Sequence, residues 1–60
     1  MFLMKIGDLV YDPWLKMRGL IVGKDYVTSI GTPFDWAVLL FSGSIEGFDT
    51  MQLELINEVR

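Results

Sequence analysis

The stretch Asp35-Trp36-Ala37-Val38-Leu39-Leu40-Phe41-Ser42-Gly43-Ser44-Ile45-Glu46-Gly47-Phe48 decides how this chain is read. Six apolar residues run without a break from Trp36 to Phe41, too few for an ordinary helix and rich in aromatic and branched side chains. Both alternating sets are apolar: Trp36, Val38 and Leu40 on one face, Ala37, Leu39 and Phe41 on the other. That pattern fits a strand covered on both sides, or one whose outer face meets a partner. Ser42-Gly43 then supplies a tight turn, and Ser44 to Phe48 returns antiparallel with Ile45 expected inward and Ser44 and Glu46 outward.

Upstream, glycine and proline punctuate the chain at short intervals. Asp8-Leu9-Val10-Tyr11 reads as a strand opened by Gly7 and closed by Asp12-Pro13, and Gly19-Leu20-Ile21-Val22-Gly23-Lys24 as a second. The two glycines of the second predict a sharp bend or a close backbone approach. Residues 12–18 and 25–35 are expected as the longer loops. Downstream, Asp49 with Gln52 three residues later is the signature of a capped single helical or 3₁₀ turn. Leu53-Glu54-Leu55 alternates as a short closing strand should. Five short strands with one helical turn before the last describe an all-β, single-domain SH3-like barrel over residues 1–60. Residues 1–5 serve as an apolar N-terminal arm or an extension of the first strand. The core is expected to hold Ile6, Leu9, Leu20, Val22, Val38, Leu40, Ile45, Leu53 and Leu55.

Composition supports one dense core and excludes several classes. The chain has 60 residues, is 52% hydrophobic, and contains neither cysteine nor histidine, so no disulfide and no zinc site of the usual kind can reinforce it. Eight aromatic residues argue against disorder. The six-residue apolar run falls far short of the roughly 20 residues that span a bilayer. Met1-Phe2-Leu3-Met4 is ended by Lys5, Gly7 and Asp8 too soon for a secretory signal, so no membrane association is expected and the compartment is read as cytoplasmic. The net charge of −3 disfavours nucleic acid, because phosphate binding rests on lysine and arginine.

Several segments together carry a resemblance. Lys5-Ile6-Gly7-Asp8-Leu9-Val10, Arg18-Gly19-Leu20-Ile21-Val22, Trp36 to Ile45 and Leu53-Glu54-Leu55-Ile56-Asn57-Glu58 resemble, in order and spacing, the strands of KOW, Tudor-like and related SH3-like small barrels. The full series is similar to small uncharacterised proteins of tailed bacteriophages. It departs from the pattern beside Gly43, where an acidic residue is missing and a shorter turn is expected. The resemblance implies a phage-encoded accessory factor acting on a host protein, or a minor structural component of a viral particle, located in the host cytoplasm or the virion.

Without cysteine or histidine, nucleophile–histidine arrangements cannot be built. The carboxylates of Asp35, Glu46, Asp49 and Glu54 lie on separate expected elements and read as solvated or capping groups. The chain is read as non-catalytic, with no cofactor and no metal. The aromatics are the better lead. Tyr11, Trp14, Phe34 and Trp36 gather at strand ends and in loops, where such barrels hold peptides or modified side chains. Completion of a small core competes with that reading, favoured for Trp36 and evenly balanced for Trp14 and Phe34. Val10-Tyr11-Asp12-Pro13 resembles the opening of signalling SH3 domains, but no further polyproline-binding element accompanies it. Lys16, Arg18 and Lys24, flanked by aromatics, form the alternative, a KOW-like nucleic-acid surface. Phe2 and Leu3 are expected at an interface with another protein or a second copy, so homo-oligomerisation is open. The expected function is a protein–protein interaction module.

Overall fold

A polypeptide with this spacing of glycine and proline can form ladders only in short runs, and the computed structural model, which describes residues 4–56, contains five. They are β1 (Leu9–Asp12), β2 (Met17–Val27), β3 (Pro33–Leu40), β4 (Ile45–Phe48) and β5 (Glu54–Leu55), with a 3₁₀ turn at Thr50–Gln52. All are antiparallel and lie in one sheet of order β4-β3-β2-β1-β5. The fold is therefore all-β. Among the described residues no helix is long and apolar enough to cross a membrane. Phe2 and Leu3 fall outside the described residues, as do residues 57–60. Of the expected arm, Met4 packs against the core, and Lys5 bridges to Asp8, its Nζ donating to Oδ1 at 3.0 Å.

β2 is the organising strand, and it is longer than the run Gly19–Lys24 suggests. Its far end, Asp25-Tyr26-Val27, was expected in a loop. It is instead paired with β3 through Tyr26↔Phe34 and Val27↔Pro33, continuing the ladder from Lys24↔Trp36. A register shift between Ile21 and Gly23 inserts a bulge, which bends the strand and re-aims its far half. Gly19 makes the close approach that its residue type predicts. A Cβ there would come 2.5 Å from Val38 Cγ1 and 3.0 Å from the Leu39 carbonyl oxygen. The β3–β4 turn also forms where expected, with Gly43 at φ 104° and its amide donating to the Leu40 carbonyl.

The core contains Val10, Ile21, Val38, Leu40, Phe48 and Leu53, with Met4, Met17, Trp36 and Leu55 packed against it. Val38, Leu40 and Leu53 were expected there. Ile6, Leu9, Val22 and Ile45 were expected inside and are 55%, 39%, 40% and 51% exposed, and Leu20 is only half-buried. Ile6 lies in the turn before β1 and Val22 at the register shift; for Leu9, Leu20 and Ile45 the reason is register. Leu9 pairs with Leu20, Leu20 with Leu39 and Leu39 with Ile45, so these four share the face opposite to Val38 and Leu40. A shift of one residue exchanges the two faces of a strand, and in β1, β2 and β4 the inward set is the other one.

Candidate functional site

At one end of the sheet, the β1–β2 turn stands beside the 3₁₀ turn. Asp12 ends β1 almost fully buried at 3% exposure, and its Oδ1 accepts the Trp14 amide at 3.0 Å. An aspartate that bonds the backbone two residues on is a local turn former. Pro13 comes next with no N–H in need of an acceptor, and Lys16 closes the turn with φ 56°. Trp14 is thereby pushed outward and is 88% exposed. A tryptophan left in water on a pinned turn is an unusual use of so large an apolar surface.

The facing wall is equally well anchored. The Asp49 amide donates to Gln52 Oε1 at 2.7 Å, which is the expected capping contact. Thr50 links the turn to β3: its amide and hydroxyl donate to Asp35 Oδ2 at 2.8 and 2.9 Å, and its Oγ1 accepts Trp36 Nε1 at 2.9 Å. The bond from the Thr50 amide, then that from its hydroxyl, holds the Asp35 carboxyl below its ordinary value of 3.8. With Thr50 fixed, Met51 projects and is 91% exposed. Asp12, Pro13, Trp14, Met51 and Gln52 together line an open groove of about 400 Å³.

The expected aromatic rim is divided by the fold. Trp14 stands in this groove, and Trp36 supports it from behind through Thr50 while packing on the core. Tyr11 is half-buried on β1, opposite Arg18 and Glu54. Phe34 lies apart, in a shallower depression of about 430 Å³ with Ile30, Glu46 and Gly47 among its walls. Its ring and that of Tyr26 cover Gly47, where a Cβ would come within 2.8 Å of Phe34 Cγ and 2.9 Å of Tyr26 Cδ2.

The cations are likewise spread. Lys16 is in the turn, Arg18 shares a face with Tyr11, and Lys24 is paired with Trp36 beyond the bulge. The six-residue step from Arg18 to Lys24 corresponds to roughly 20 Å along β2. Met51 had no signal in the sequence. It is one apolar residue in a capped turn, and only the docking of that turn beside Trp14 gives it a role.

Comparison with protein-family models, with curated proteins and with solved structures returns no match.

Proposed function

We propose that this chain is a non-catalytic protein–protein interaction module of SH3-like barrel type, which captures an apolar side chain of a partner protein between Trp14 and Met51. The observation that carries the reading is the exposure of Trp14 at 88% on a turn held rigid by buried Asp12. Exposed tryptophans on preorganised backbone are the residues from which binding hot spots are made, because they offer large contact area at small entropic cost. The strand order, with β5 beside β1 and a 3₁₀ turn just before it, supports the barrel reading.

Charge selects the partner. Residues 31–60 carry Asp35, Glu46, Asp49, Glu54 and Glu58 against Arg60 alone, so the half of the chain that supplies Met51 repels acidic segments. The partner segment is apolar at one anchor position and neutral or basic around it. In the phage setting implied by the resemblance, that partner is a host protein or a component of the viral particle, met in the host cytoplasm or the virion.

The test selects displayed random peptides on the wild-type chain and then measures them against Trp14→Ala and Met51→Ala. Loss of binding in both variants with unchanged far-UV circular dichroism is the expected result. Retention of the selected peptides by Trp14→Ala rejects the groove as the site. Binding to DNA that falls steeply with salt, with no peptide selected, would instead favour the cationic residues.

A further inference from the structure

The face of the sheet turned away from the core carries an aliphatic row that crosses β1, β2, β3 and β4. Leu9 pairs with Leu20, Leu20 with Leu39, and Leu39 with Ile45. The Ile56 amide donates to the Leu9 carbonyl at 3.0 Å, so the row continues past β5 as Ile56–Leu9–Leu20–Leu39–Ile45. Leu9, Leu39 and Ile45 are 39%, 37% and 51% exposed. Val22, two residues along β2 from Leu20, is exposed as well, and so is Phe41, whose amide donates to the Arg18 carbonyl. In an antiparallel sheet with one solvated face, that face is ordinarily polar. Here it is apolar along the whole row.

From this face we infer that two copies of the chain associate as a two-fold dimer, sheet against sheet. Two observations point to a second copy rather than to another occupant. The first is area: Leu9, Val22, Leu39, Phe41 and Ile45 are 39%, 40%, 37%, 66% and 51% exposed, a patch on the order of a few hundred Å², the size at which an apolar surface marks an interaction site. With a rim of Tyr11, Arg18 and Glu54 it approaches the roughly 800 Å² per partner of a standard interface.

The second is charge. The chain carries −3 overall, yet the row itself is uncharged. The neighbouring row, Glu54–Tyr11–Arg18–Phe41, holds one anion and one cation. Two acidic molecules can therefore meet on this face without bringing like charges of the row together. A two-fold arrangement accommodates both. A two-fold axis parallel to the row lays each aliphatic side chain on its own copy and keeps the two Arg18 side chains on opposite flanks, as an isologous contact requires. The dimer face is independent of the Trp14 groove, which no residue of the row lines.

Sedimentation equilibrium of the full chain across a concentration series tests it, with Leu39→Lys, Ile45→Lys and the off-row control Val27→Lys. The wild type and Val27→Lys are expected at twice the 6.9 kDa of the chain. Each row variant should raise the dimer dissociation constant at least about 100-fold while keeping its circular dichroism. Two substitutions on different strands guard against one failing to fold. A wild type that stays monomeric up to about 1 mM overturns the dimer. So does a species that grows beyond two copies, or a dimer unchanged in both row variants. Monomers that float with phosphatidylcholine vesicles would assign the face to lipid instead, and would equally overturn it.

Discussion

Replacing Gly19 with alanine adds one methyl group at the crossing of β2 and β3, and its cost can be worked from three distances. The new Cβ would lie 2.5 Å from Val38 Cγ1, 3.0 Å from the Leu39 carbonyl oxygen and 3.3 Å from Leu40 Cδ2. Val38 and Leu40 are core residues, so neither can swing into solvent, and the carbonyl belongs to the paired backbone of β3. Overpacking of a close-packed core costs about 1–3 kcal/mol, and two rigid neighbours put this site in the upper half of that range. A 60-residue chain holds only about 3–9 kcal/mol in total at ordinary stability per residue, so one methyl removes a large part of it. Gly23→Ala is the internal comparison. It adds the same atom to the same strand, but its Cβ would meet only Ala37 Cβ, at 3.5 Å. That is ordinary contact, and restricting the unfolded chain should stabilise the variant by about 0.5 kcal/mol.

Urea titration followed by far-UV circular dichroism, at one fixed protein concentration, reads both. With a slope near 1 kcal/mol per molar for a chain of this size, the Gly19→Ala midpoint should fall by about 2 M and the Gly23→Ala midpoint should not fall. Gly47→Ala should lie between them, because the Phe34 and Tyr26 rings that it meets can tilt. Equal midpoints for Gly19→Ala and Gly23→Ala would refute the steric account of β2.

The folded-state pKa of Asp35 is lowered by its Thr50 contacts from the ordinary 3.8. Its stabilising contribution is therefore complete above that value and is lost as the pH falls through the lower folded one. The urea midpoint of the wild type should drop across this acid window, and Asp35→Asn should flatten that drop. Buried Asp8 accepts from both the Lys5 amide and Nζ, so Asp8→Ala should cost about 1–2 kcal/mol in thermal unfolding. Lys5→Ala, which removes only the exposed partner, should cost well under 1 kcal/mol. Lys16 sits at φ 56°, where a side chain is penalised by about 1 kcal/mol, so Lys16→Gly should raise the melting temperature despite its greater unfolded-state entropy. Trp36→Phe removes the bond to Thr50 and should cost about 1 kcal/mol, read by the same titration.

Local chemistry made much of the architecture legible before any tertiary contact was known. The Ser42-Gly43 turn, the Asp49–Gln52 cap and the Asp12-Pro13 stop each depend on residues within four positions of one another, and each formed. Trp14 could be singled out for the same reason, since the turn that exposes it is built from its immediate neighbours. Gly19 was readable as a close approach because its residue type leaves few other uses for it inside a strand.

The chain alone could not express which face of each strand turns inward. Leu9 and Val10 are both apolar, as are Leu20, Ile21 and Val22, and residues 36–41 are apolar throughout, so period-two patterning carries no sign there. Pairing across strands supplied it. Once Ile21 stands opposite Val38 and both are buried, Leu9, Leu20, Leu39 and Ile45 must share the outer face. The same holds for Asp25-Tyr26-Val27, read as loop until β3 offers it a ladder, and for Met51, brought beside Trp14 by the Asp35–Thr50 contacts. Turns and caps are decided by neighbours in sequence. Faces, grooves and the apolar surplus of this chain are decided by neighbours in space.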